Sequence, residues 1–133
     1  MKLTRRSEYA LLALIHLARA EGKGFVAVSA MAEAQGLPAK FLEQLLMSLK
    51  RGGLVKSQKG PHGGYRLARP AGKISLAEVI RLLDGALAPT ESVSTYFYES
   101  TPIEKEKRLL RIFKEVRDFV SAKLEKTMLQ DVV

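Results

Sequence analysis

Apolar residues fill the chain from Tyr9 to Ala18, where only His16 breaks the run. Thr4 stands where an N-cap belongs, so the pattern predicts a first helix to about Arg19. A helix apolar almost all round is buried on more than one side, here against a partner as well as its own core. Glu21–Gly24 reads as a turn and Phe25–Val28 as a short extended piece. Ser29 is placed to cap a brief helix, Ala30–Gln35, which Gly36 ends as a C-cap glycine. Leu37-Pro38 opens a third helix that runs to about Arg51 and stops at Gly52-Gly53. Two short helices joined through a glycine turn read as a helix-turn-helix. The alternation after it, Leu54–Gln58 and Tyr65–Ala68 around Lys59-Gly60-Pro61-His62-Gly63-Gly64, predicts a β-hairpin in the place of a wing.

Beyond Pro70 and Gly72, Ser75-Leu76-Ala77-Glu78 reads as a capping box for a helix to about Asp84. Residues 85–100 lack periodicity. Thr101-Pro102-Ile103-Glu104 is a second such box, opening the longest helix to about Lys126. Along it Leu109, Phe113, Val116, Val120 and Leu124 recur at three- and four-residue steps, a narrow stripe that suits a dimerisation seam. The expected fold is mainly α with a small β-hairpin wing: a winged helix-turn-helix over residues 1–72, then a connector helix, loop and long dimerisation helix over 73–133.

Charge sharpens this picture. The net charge of the 133 residues is +8, and it is unevenly spread. Residues 1–70 carry 12 Lys/Arg against 4 acids, whereas residues 71–133 carry 10 of each. A basic front half joined to a neutral back half fits a polyanion-binding module joined to something else. On the third helix, at about 100° per residue, Phe41, Leu42, Leu45, Leu46 and Leu49 share one face. Lys40, Glu43, Gln44, Met47 and Arg51 share the other, where a recognition helix meets base edges in the major groove. A solvated face is the plain alternative, and its place between a helix-turn and a wing favours the reading head. Lys59, Gly60, Pro61, His62, Gly63 and Gly64 would form a wing tip able to approach the minor groove. Arg5, Arg6, Lys2, Lys50 and Lys56 are candidate phosphate neutralisers.

The chain has no cysteine, which removes disulfides and thiolate-held metals or clusters. Neither histidine has a ligand partner at metal spacing, and no nucleophile elbow or phosphate-loop signature occurs. The expectation is therefore no enzyme, no cofactor and no metal. The Tyr9–Ala18 run is too short to span a bilayer, so a cytoplasmic protein is expected.

The residues resemble a known family. Met1-Lys2-Leu3-Thr4 to Tyr9-Ala10, Phe41-Leu42-Glu43-Gln44-Leu45, Gly53-Leu54-Val55-Lys56-Ser57, Lys59-Gly60-Pro61-His62-Gly63-Gly64-Tyr65 and Glu78-Val79-Ile80 match the Rrf-type winged-helix regulators (the IscR/NsrR/CymR family). The match is tight to about residue 85 and looser along the last helix. It implies a homodimer with long helices crossing near the two-fold axis, bound to a palindromic DNA operator. It implies Lys40, Glu43 and Gln44 in the major groove and Lys59 with its glycines in the minor groove. Iron–sulfur members carry three cysteines between the fourth helix and the long helix; here Glu91–Lys107 holds none, which is similar to the cluster-free branch of the cysteine-metabolism repressor. The loop with Glu91, Ser92, Ser94, Tyr96 and Tyr98 either receives a small-molecule effector or regulatory partner protein, or is a flexible connector. A winged-helix protein-interaction adaptor is the alternative function, and it would want a neutral or acidic recognition face.

Overall fold

In the computed structural model, which describes residues 1–133, five helices and one hairpin follow the order α1 (Arg5–Arg19), α2 (Val28–Gln35), α3 (Ala39–Arg51), β1 (Val55–Gln58), β2 (Gly64–Leu67), α4 (Leu76–Asp84) and α5 (Lys107–Lys126). The main core lies where α1, α2 and α3 meet. Leu14 and Leu17 of α1 and Met31 of α2 bury against Leu42, Leu46 and Leu49 of α3. The Tyr9 and Phe41 rings pack edge to face, 5.5 Å between centroids and 81° between planes. Burying leucines on one side of α3 turns Lys40, Glu43, Gln44 and Met47 outward, as the helical period requires.

The hairpin pairs Val55 with Leu67, Lys56 with Arg66, Ser57 with Tyr65 and Gln58 with Gly64. Val55 and Leu67 are buried while Lys56 and Arg66 face out, as the strand period of two demands. Val26 adds a third, one-residue strand, exchanging both backbone hydrogen bonds with Tyr65 at 2.8 Å.

Two helix starts, and the capping box of a third helix that starts where expected, differ from expectation. Ser29 caps nothing: α2 begins at Val28 behind Ala27, because the Val26–Tyr65 pairing holds the chain extended up to that point. At α4 the Ser75 hydroxyl accepts from the Glu78 amide, but the Glu78 carboxylate pairs with Arg69 instead of closing the box. The second box does not form at all. Thr101 donates its hydroxyl to buried Ser92, and Glu104 accepts from Tyr98 and Ser100. Residues Pro102–Lys105 make a 3₁₀ turn, and α5 starts only at Lys107.

The core crosses the boundary at residues 72/73. After α5 the chain returns so that Leu129 is buried among the α1–α3 leucines, tied by its amide to the Ile74 carbonyl. At the opposite end Asp84 closes α4 onto α1. Its carboxylate accepts from the Thr4 amide at 3.1 Å and the Thr4 hydroxyl at 2.6 Å, while that hydroxyl accepts from the Ser7 amide as the N-cap of α1. Burial pushes the Asp84 carboxyl up, but the Thr4 hydrogen bonds and the nearby Arg6 charge outweigh it and hold it below the usual carboxylate value. A depressed folded-state value means stability that is present above the unfolded value and lost as pH falls through the folded one. Asp84→Ala is expected to cost about 1 kcal/mol at pH 7, with the gap to the parent narrowing below about pH 4, in urea titrations across that range.

Candidate nucleic-acid interface

Elementary geometry assembles one face from three separated stretches. The outward side of α3 presents Lys40, Glu43, Gln44, Met47 and Arg51, all exposed. The wing brings Lys56, Lys59, Gly60, Pro61 and His62 to one side of it, also exposed, with Gly63 and Gly64 partly covered. The start of α1 brings Arg5 and Arg6 to the other. Between α3 and the wing lies an open cleft of about 600 Å³ bordered by Glu43, Met47, Lys50, Arg51, Lys59 and Tyr65. A smaller one of about 350 Å³ separates α3 from α1, bordered by Arg6, Phe41, Gln44, Met47, Ser48 and Arg51. Met47 and Arg51 border both, so they form the crest of a ridge with a trough on each side.

The electrostatics of this face are one-sided. The ion pairs of the chain are Arg69–Glu78, Arg81–Glu125 and Arg117–Asp118. Arg5, Arg6, Lys40, Lys50, Arg51, Lys56 and Lys59 take part in none of them. Lys56 and Arg66 stand directly opposite each other on the hairpin, a like-charge pairing that costs stability unless an anion is supplied. Arg66 is held by stacking on the Phe25 ring, 4.5 Å from its centroid. Lys50 donates to the Ser57 hydroxyl at 2.8 Å, tying the end of α3 to the wing. Glu43 is the lone carboxylate of the recognition face. Glu43 and Tyr65 both border the wing-side cleft, and burial and then the Glu43 charge push the Tyr65 hydroxyl up.

The wing glycines have structural work of their own. Gly60 turns the chain at φ 106°, a region L side chains rarely enter. A Cβ on Gly63 would lie 2.1 Å from the Gln58 carbonyl oxygen, and one on Gly64 would lie 2.0 Å from that of Val26. Gly63 and Gly64 thus let three backbone segments pack shoulder to shoulder where a side chain would force them apart.

No group of His, Cys, Asp and Glu side chains in the structure could hold a metal ion. His62 is an exposed turn residue, and half-buried His16 has its Nδ1 3.4 Å from the Gln35 amide nitrogen. Sequence reasoning did not single out Ser48, Ser57 or Tyr65 on the interface. They are uncharged and gain their place only when α1, α3 and the wing come together.

This arrangement is that of a winged helix-turn-helix. A family model described as "Iron-dependent Transcriptional regulator", Rrf2, matches residues 3–133. The chain belongs to the Rrf2 family. Among its relatives, the HTH-type transcriptional regulator CymR of Bacillus subtilis is 32% identical over 99% of this chain and 89% of its own length. IscR of Xenorhabdus nematophila is 41% identical over 68% of this chain and 55% of its own length. The solved structure of CymR, the global cysteine regulator of B. subtilis, superposes with a TM-score of 0.80 at 31% identity, covering 99% of this chain and 95% of that one. T. potens IscR gives 0.71 at 30% identity, covering 99% and 85%.

The iron dependence in the Rrf2 family description does not fit these residues. The chain has no cysteine, and Glu104, in the turn before α5, is already engaged by Tyr98 and Ser100. The Tyr98 and Ser100 hydroxyls hold the Glu104 carboxyl below its usual range, and the hydrogen bond to Glu104 pushes the Tyr98 hydroxyl up, so the loop is closed by hydrogen bonds between its own side chains. Gly64→Ala is expected to lower unfolding free energy by about 2–3 kcal/mol in urea titrations, with the Val26 amide losing hydrogen-exchange protection first.

Proposed function

We propose that this Rrf2 member is a sequence-specific DNA-binding regulator that acts as a homodimer on a palindromic operator, with no enzymatic activity of its own. In this reading α3 enters the major groove, with Lys40, Glu43, Gln44 and Arg51 towards bases and phosphates. The wing, Lys59 at its tip, enters the adjacent minor groove, and Arg5, Arg6 and Lys56 neutralise phosphates. Repression by occupying the operator is the simplest regulatory outcome, and the cytoplasm is the compartment where DNA is met. The observation that carries the proposal is the set of cations on one face, none of them in an ion pair and Glu43 the lone carboxylate among them. An adaptor would want a neutral or acidic face in that position.

Pairing of subunits is assigned to α5, which has two apolar faces. Phe113, Val120 and Leu124 are half-buried, with Leu124 packed on the Ala77, Ile80 and Leu87 cluster of its own chain. Leu109 and Val116 point outward instead, and with them Ile112 and Phe119, two residues the periodic stripe did not include. Their exposures are 43%, 42%, 52% and 78%. Spaced three, four and three apart, they form a continuous open seam. A contiguous exposed apolar patch of this kind marks an interface, and a second α5 is the partner of matching periodicity. Residues 1–72 would thus read DNA while 73–133 pair the readers and receive the signal. The loop that would receive it exposes Tyr96 and Tyr98, and Arg81 stacks on Tyr96 at 4.9 Å while pairing with Glu125 of α5. A small molecule or partner protein touching Tyr96 would therefore pull directly on α4.

Two measurements test this reading. In fluorescence anisotropy, Lys59→Ala should weaken binding to every duplex and flatten the log–log salt dependence by about 0.9 per lost phosphate contact. Glu43→Ala should leave that slope alone and relax base preference by about 1–3 kcal/mol at one position. Equal behaviour of both variants and the parent would remove the groove assignments. In light scattering after size exclusion, Phe119→Glu should turn a dimer into a monomer that is still folded by circular dichroism. A parent that is already monomeric would end the pairing proposal.

A further inference from the structure

The α1-side trough of the reading face holds a feature the groove assignments leave unexplained. Arg6 of α1 and Arg51 of α3 both donate an Nη2 to the same atom, the Ser48 hydroxyl oxygen, at 3.5 and 3.3 Å. The hydroxyl hydrogen is directed to the Gln44 carbonyl at 3.3 Å, so the serine meets both guanidiniums with its lone pairs. These are long bonds to a neutral acceptor, and a guanidinium binds a charged oxygen better. Neither arginine has a carboxylate at ion-pair distance. Asp84 feels the Arg6 charge, yet its oxygens are occupied by the Thr4 amide and hydroxyl. Two like charges are thus gathered around one weak acceptor, at the mouth of an open cleft of about 350 Å³, with nothing neutralising them.

From this we infer that Arg6 and Arg51 form a clamp for a single phosphodiester group of duplex DNA, with Ser48 as the residue that positions both guanidiniums. The inference rests on the reading of α3 as a major-groove helix. A helix about 10–12 Å across fills a groove about 12 Å wide, so a sugar–phosphate backbone runs along each of its flanks. The wing meets the backbone on one flank. On the other, the start of α1 is the element that faces the trough, and its Arg6 converges with Arg51 there. Planar guanidiniums are suited to two-pronged contact with phosphate oxygens. On binding, a phosphate oxygen replaces the hydroxyl as acceptor. The clamp then sets how far α3 is rotated in the groove, by holding α1 and α3 to one backbone position.

The test uses a fluorescein-labelled duplex enriched from a random pool by the parent chain, with R6Q, R51Q, the double variant and K59A as the wing control. Either single variant should weaken binding about tenfold while keeping most of the parental salt slope, since the other arginine still neutralises the phosphate. The double variant should flatten the slope by about 0.9 per bound subunit. With the parent chain, a neutral methylphosphonate scanned along the duplex should reveal one position on the α1-side strand whose neutralisation is costly, and the double variant should be indifferent to it. Slope losses that add across the two single variants mean two separate phosphates and overturn the clamp. So does parental binding by the double variant while K59A is impaired, an outcome that leaves the duplex reading standing. If Arg6 and Arg51 resonances saturate with inorganic phosphate while the double variant binds duplex like the parent, the pair is a free-anion site and the clamp fails. A parent chain that enriches no duplex removes both the clamp and the reading beneath it.

Discussion

Burial of the leucine face of α3 is the constraint from which the rest of the molecule follows. Leu42, Leu45, Leu46 and Leu49 are each at most 1% exposed, packed where α1 and α2 close over them. Each is worth roughly 1.5–3 kcal/mol of burial, more than any surface charge interaction could oppose. Once those side chains point inward, the rotation of α3 about its own axis is settled. Lys40, Glu43, Gln44, Met47 and Arg51 have no other direction to take. The exposed cationic face is thus a by-product of core packing, its side chains fixed in direction by the buried leucines.

A second consequence concerns α4, the short helix between the hairpin and the loop that leads to α5. Successive positions along it touch different parts of the molecule. Arg81 reaches the loop through Tyr96 and reaches α5 through Glu125. Leu82 lies so close to Gly52, at the end of α3, that a Cβ there would come within 2.4 Å of its Cδ2. Asp84 holds the N-cap of α1. A shift of α4 cannot occur without disturbing the end of the recognition helix and the start of α1, the two elements that flank the Arg6–Arg51 trough. The Rrf2 family description names iron, whereas this chain has a loop closed by Tyr98, Glu104, Ser92 and Thr101. Hydrogen bonds between these side chains hold the loop, and the stacking of Arg81 on Tyr96 joins it to α4.

The fold was largely legible in the residues. Leucine spacing on α3, the glycine at the α2–α3 turn and the alternation across β1 and β2 specify local structure within a few residues, because their causes are local: helical period, strand period and positive φ. Thr4 as the cap of α1 belongs to the same class. The motif spacing also carries the Rrf2 relationship, and the uneven charge and helical period place Lys40, Glu43, Gln44 and Arg51 on one exposed cationic face. The start of α2 was misplaced at Ser29 because the Val26–Tyr65 pairing, a contact between distant residues, sets it. The start of α5 was misplaced because Thr101 and Glu104 found better partners in Ser92 and Tyr98.

What the chain determined by itself is therefore the set of helices and strands, the segregation of positive charge into the front half and the lack of thiolate ligands. These depend on residue identity and on neighbours within about one or two helical turns. Tertiary structure alone decided which face of α5 stays open and which packs on α4, since periodicity shows an apolar stripe but not what covers it. It alone brought Ser48 between two arginines 45 positions apart in sequence. Packing places residues by distance in space, and no pattern along the chain encodes that distance.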